Sequence, residues 1–149
     1  MTEDTVAAEV IVKAPPAEVY RWFVEPDLLV RWIGINARLE PHPGGVFRFE
    51  ITNGEWCSGR YVEVVPGKRV VFTWGWDSGA LPVPPGSSTV EVDLLEHADG
   101  TQVRLVHRDL APEARGVHAE GWQRFLPRLA AVVIGQAPGP DPARDGLPR

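Results

Sequence analysis

Residues 46–76 read VFRFEITNGEWCSGRYVEVVPGKRVVFTWGW, and the periodicity and punctuation of this stretch decide the architecture. Phe47, Phe49 and Ile51 share one face of the first run, against Val46, Arg48 and Glu50 on the other. That alternation is the signature of a half-buried strand. Asn53-Gly54 is a hairpin signal, because a tight turn needs positive φ at its centre, and it leads into a second run, Glu55 to Val65. Pro66-Gly67 closes that run, and Val70, Phe72, Trp74 and Trp76 then alternate strictly through Arg69 to Trp76. Strands joined by turns this short must be antiparallel.

The pattern extends in both directions. Downstream, a Pro/Gly/Ser loop from Asp77 to Ser88 is long enough to be functional or mobile. Thr89 to Glu96 and Thr101 to Arg108 follow as strands around Asp99-Gly100, the second carrying Val103, Leu105 and His107 on one face. From Pro112 the period changes to that of a helix, with His118, Trp122, Phe125, Leu129 and Val132 forming an apolar stripe widened by Leu126 and Val133. Pro127 inside it removes a backbone hydrogen bond and predicts a kink, and Gly135 ends it. Upstream, Val6 to Ala14 reads as a strand stopped by Pro15-Pro16. Val19, Trp22 and Phe23 then mark a short amphipathic helix, and Pro26 opens a second with Leu28, Leu29 and Trp32 on its apolar side.

Strand, two short helices, a series of strands and one long helix make an α+β fold. The expected architecture is a curved antiparallel sheet of about six or seven strands around a long C-terminal helix. A sheet of that size leaves a wedge of space beneath a single helix, and the aromatic residues fall on the faces that would line it.

Composition bounds the function. The 149 residues suit one domain, and 44% hydrophobic with 23% charged is ordinary for a globular protein. A net charge of −5, with no basic cluster, excludes a phosphate-backbone footprint, so nucleic acid is not an expected partner. Cys57 is the only cysteine, and no Cys/His set has zinc spacing. No metal or cofactor is therefore expected. The acidic start lacks the features of a secretion signal, and Leu129 to Ile134 is too short to span a bilayer. The expected location is the cytoplasm. Residues 136–149 hold four Pro, two Gly and almost no large apolar side chain, and are expected to be a disordered tail. The domain then spans 6–135.

The opening segment from Val10 through Ala14-Pro15-Pro16-Ala17-Glu18-Val19-Tyr20-Arg21-Trp22-Phe23 to Pro26 resembles that of the START-like (SRPBCC) superfamily, as does Leu29 to Gly34. Gly44-Gly45-x-Phe47-x-Phe49, the spacing from Gly59 and Tyr61 through Pro66 and Arg69 to Trp74, and Gly121-Trp122-x-x-x-Leu126 look like the branch of the heat-shock-protein-90 ATPase activator homologues. The resemblance runs from about residue 6 to 135 and implies a helix-grip fold around a cavity for apolar ligands. It also implies, by analogy, cyclase, aromatase or hydrolase chemistry on a polyketide-like substrate as an alternative. Chaperone stimulation is not carried over, because the branch's name-giving protein uses a separate N-terminal domain for which this chain has no room.

Candidate ligand contacts are Trp32, Phe47, Phe49, Tyr61, Phe72, Trp74, Leu105, His107, His118, Trp122 and Phe125. Core filling explains most of the aromatics, but not the choice of Trp, whose indole N–H needs a partner when buried. His107 ends an inward strand face and His118 begins the helical stripe, so both are expected at one end of the cavity. They are either a general acid and base, since imidazole titrates near neutrality, or buried histidines satisfied by hydrogen bonds. Along Glu55 to Val65 one face holds Cys57, Gly59, Tyr61 and Glu63, the other Trp56, Val62 and Val64, and the pattern leaves open which faces inward. Gly59 is read as a bulge or a close approach. Binding of a small apolar or aromatic molecule, as carrier or sensor, is the expected function. An enzyme using a cavity histidine is the alternative, and a protein-interaction module the third. The oligomeric state is not legible.

Overall fold

The computed structural model describes residues 5–143. Strand β1 (Val6–Val12) is followed by helices α1 (Pro16–Val24) and α2 (Pro26–Leu29). Six further strands, β2 (Asn36–Leu39), β3 (Val46–Thr52), β4 (Glu55–Val65), β5 (Arg69–Trp74), β6 (Ser88–His97) and β7 (Gly100–Arg108), precede the long helix α3 (Pro112–Val133). They form one seven-stranded sheet in the order β1-β7-β6-β5-β4-β3-β2, with every neighbouring pair antiparallel. This is the helix-grip arrangement that the family resemblance implies, and the α+β antiparallel sheet that the order of elements implies. Strand β2 is an addition to the strands identified in sequence. Only four residues long and half exposed, it gains its identity from pairing with β3.

Buried side chains tie α1 down by its orphan carbonyls. The last carbonyls of a helix have no partner within it. Trp32 Nε1 donates to the Trp22 carbonyl at 3.0 Å, and the Tyr61 hydroxyl donates to the Phe23 carbonyl at 2.9 Å. In β4 the Cys57 and Tyr61 side chains face inward, both almost fully buried. A register shift between Tyr61 and Glu63 then reverses the alternation. Glu63 turns outward to Arg69, 3.0 Å away, so the phenol and the carboxylate do not share a face. Gly59 marks a close approach: a Cβ there would lie 1.9 Å from the Thr73 carbonyl oxygen.

The α3 backbone approaches the sheet most closely at β1, its outer edge. Toward the inner strand β5, side chains bridge the gap, as where the Trp74 indole donates to His118 Nε2 at 3.3 Å. Helix α3 runs unbroken through Pro127. Beyond it, residues 136–143 fold back along the helix where composition predicts disorder. Ala143 is buried, and the Arg128 guanidinium donates to the Gly139 and Pro140 carbonyls at 2.7 and 2.9 Å. Proline-rich chain loses little entropy on ordering, so a few such contacts hold it. The rest of the expected tail, 144–149, lies outside the described residues.

Candidate functional site: a cavity walled by indoles and a histidine

A cavity of about 350 Å³ lies between α3 and the sheet. Ile51 of β3 and Trp74 of β5 form one wall, and His118, Trp122 and Phe125 of α3 the other. Ile33, Trp76 and Leu81 close the sides, with Pro142 and Ala143 of the folded-back segment. Glu120 and Arg124, exposed and paired at 2.8 Å, rim it. The volume falls within the range of small-molecule sites, roughly 300–1,000 Å³.

The local sequence explains how these groups converge. Trp74 and Trp76 are two apart on an extended chain and so point to the same side. Their indole nitrogens reach a single acceptor, His118 Nε2, at 3.3 and 3.1 Å. His118 Nδ1 lies 2.7 Å from the Ala114 carbonyl oxygen one turn back. A carbonyl only accepts, so the proton is on Nδ1 and Nε2 presents its lone pair to both indoles. His107 repeats the logic one layer deeper. Trp122 Nε1 donates to its Nδ1 at 3.1 Å, which places the proton on Nε2, facing Ser88 Oγ at 2.8 Å. Ser88 passes its own hydrogen to the Trp74 carbonyl at 2.9 Å. A polar chain, joined across the covalent frame of Trp74, thus runs from α3 through the sheet and back to α3.

The two imidazole rings are 5.1 Å apart, adjacent as expected, but every ring nitrogen is engaged. Burial pushes His107 well below the ordinary 6.5, and its neighbour His118 adds to the shift. Burial also lowers His118, against a smaller opposing effect of the Ala114 carbonyl. Both rings are neutral at physiological pH. Neither has a lone pair free to take a substrate proton without releasing an indole. Cys57 is no nucleophile, since complete burial raises its thiol well above the ordinary value. Among the described residues, no group of three His, Cys, Asp or Glu side chains stands ready to hold a metal ion.

Of the residues singled out in sequence, Trp74, His118, Trp122 and Phe125 line the cavity. Trp32, Phe47, Phe49, Tyr61, Phe72, Leu105 and His107 do not; they are buried behind it. Phe47 stacks on Phe72 with centroids 3.9 Å apart and meets Phe49 and Tyr61 edge-on, filling what would otherwise be the deep end. Trp76 lines the cavity alongside Trp74, in the same alternating register. Ile33, Ile51, Leu81, Pro142 and Ala143 were not among the expected contacts. Ile51 carried a signal, the face it shares with Phe47 and Phe49, whereas Leu81 and Ala143 sit on irregular chain.

Residues 13–133 match the family described as Activator of Hsp90 ATPase homolog 1-like protein, AHSA1. The chain belongs to the AHSA1 family. Its relative in Homo sapiens, Activator of 90 kDa heat shock protein ATPase homolog 1, is 30% identical over 114 residues, which cover 74% of this chain and 31% of that protein. The AHSA1 chain thus spans about a third of the curated relative's length. Among solved structures, an AHSA1-like protein from Rhizobium etli is 42% identical with a TM-score of 0.72, covering 93% of this chain and 86% of that one. DynU16, from the dynemicin biosynthetic locus, shares the fold at a TM-score of 0.78 and 24% identity, covering 93% of this chain and 50% of its own. No helix of this AHSA1 domain, among the described residues, is long and apolar enough to cross a membrane.

Proposed function

We propose that this AHSA1-family chain is a cytoplasmic carrier or sensor that binds a small apolar or aromatic molecule in the cavity between α3 and the sheet. The observation that carries the proposal is the unfilled space itself, walled by indole and aliphatic side chains whose polar atoms are already satisfied. Helical glycine adds weight. Gly in a helix costs about 1 kcal/mol relative to Ala, yet Gly116 and Gly121 both line the cavity. A Cβ at either would meet nothing within 4 Å, so packing gives no reason for glycine there. Room for a ligand against the helix does.

The polar chain through His107 and His118 argues against the enzyme alternative, because both rings serve as acceptors for indoles. Chaperone ATPase activation belongs to the name of the human relative, of which this chain matches 31%, and is not proposed. The test is titration with the neutral fluorophore N-phenyl-1-naphthylamine. The unaltered protein is expected to enhance its emission saturably, and Gly121→Phe, which projects a ring into the cavity, to abolish the effect. Equal enhancement by both proteins, or none by either, would overturn the proposal.

A further inference from the structure

The segment after α3 forms part of the cavity, and one side chain, Arg128, binds its middle. Pro142 and Ala143 line the cavity, and Ala143 is only 6% exposed. Between this end and α3 the segment stands off. A second hollow of about 450 Å³ separates Pro138 and Pro140 from Gln123 and Pro127. Arg128 reaches the Gly139 carbonyl at 2.7 Å and the Pro140 carbonyl at 2.9 Å, and at the segment's start the Gln136 N–H donates to the Ala131 carbonyl at 2.9 Å. Arg128 Nε donates to the Trp32 carbonyl at 3.0 Å, beside cavity-lining Ile33. One guanidinium thus joins α3, the chain after α2 and the folded-back segment. Its planar fork can serve several acceptors at once, which an ammonium cannot match. Asp141 accepts from the Ala143 N–H at 2.9 Å and shapes the turn that aims Ala143 inward.

We propose that residues 136–143 are a strap forming a movable wall of the cavity, and that Arg128 is the positioning residue that latches it and so sets the rate of ligand exchange. The ligand part rests on the binding function proposed above. The latch does not. Opening the strap exposes the cavity beside Phe125 without disturbing the sheet, because the strap contributes no strand.

The test places a thiol on the strap by Ala143→Cys and follows its reaction with fluorescein maleimide, a bulky reagent that requires the buried position 143 to become exposed. Buried Cys57 is the internal control for global unfolding. With Arg128 present, labelling at position 143 is expected to be slow. In Arg128→Ala it is expected to accelerate at least tenfold while Cys57 stays protected, and Arg128→Lys is expected to fall between. Unchanged labelling in Arg128→Ala, or equal acceleration at both thiols, would overturn the latch. In stopped-flow, N-phenyl-1-naphthylamine is expected to leave Arg128→Ala at least tenfold faster than the unaltered protein, and an unchanged release rate overturns control of exchange. If the thiol accelerates but the fluorophore binds neither protein, the latch stands and the ligand reading falls.

Discussion

Trp122 Nε1 donates to His107 Nδ1 across 3.1 Å, from the cavity wall of α3 to the end of β7. This contact explains why tryptophan and histidine occur together in a largely apolar interior. An indole brings a large apolar surface and one N–H that must be satisfied when buried. A neutral imidazole presents one acceptor and one donor, and here each donor is consumed by a protein oxygen. The helix is therefore fixed over the sheet by directional bonds where side chains do not fill the space.

His107→Leu is expected to lower stability by about 2 kcal/mol in urea denaturation, since it leaves the Trp122 N–H buried without an acceptor. A loss below about 0.5 kcal/mol would mean the bond contributes nothing.

Stability is expected to fall on mild acidification. Both histidines have folded-state values below the ordinary 6.5, so below that pH the unfolded chain binds more protons than the folded one. Stability is then full above about pH 6.5 and decreases as pH drops toward the depressed values. The lowered carboxyls of Glu40, Glu50 and Glu91 act only around and below their ordinary 4.5. Urea midpoints should decline between about pH 6.5 and 5, and His118→Leu should flatten the decline. A midpoint that rises over this interval contradicts the assignment.

Tyr61→Phe separates scaffold from cavity. Losing the hydroxyl strands the Phe23 carbonyl and should cost about 1–2 kcal/mol, while uptake of N-phenyl-1-naphthylamine stays within about twofold, because Tyr61 does not line the cavity. Impaired uptake at unchanged stability would place Tyr61 in the site.

Gly121→Ala is expected to raise stability by about 1 kcal/mol from helix propensity alone, since its Cβ has open space around it. Thermal denaturation checks this, and destabilisation would mean that glycine is required by packing.

The strands were legible because Asn53-Gly54, Pro66-Gly67 and Asp99-Gly100 punctuate clean alternation, and α3 because His118, Trp122 and Phe125 recur at helical spacing. Strand β2 was not, since a short half-exposed edge carries little pattern apart from its partner. Within the site, periodicity identified inward faces but could not distinguish a ring that lines space from one that fills it. Phe47 and Phe72 face inward as expected, yet their 3.9 Å stacking consumes the volume between them. The outward turn of Glu63 depends on a bulge that alternation cannot anticipate. Ala143 carries no signal, because the low apolar content of its Pro-rich segment predicts disorder, whereas Arg128 binds the segment's backbone.

The cavity is tested most directly by a ¹⁵N-correlated NMR titration with N-phenyl-1-naphthylamine. Binding in the space described predicts saturable shifts of the Trp74, Trp76 and Trp122 indole signals and of the Ile51, Leu81 and Phe125 amides, with those of Phe47, Tyr61 and Phe72 nearly still. Shifts confined to outer-face residues such as Arg69 and Glu91, or none at saturating fluorophore, would contradict it.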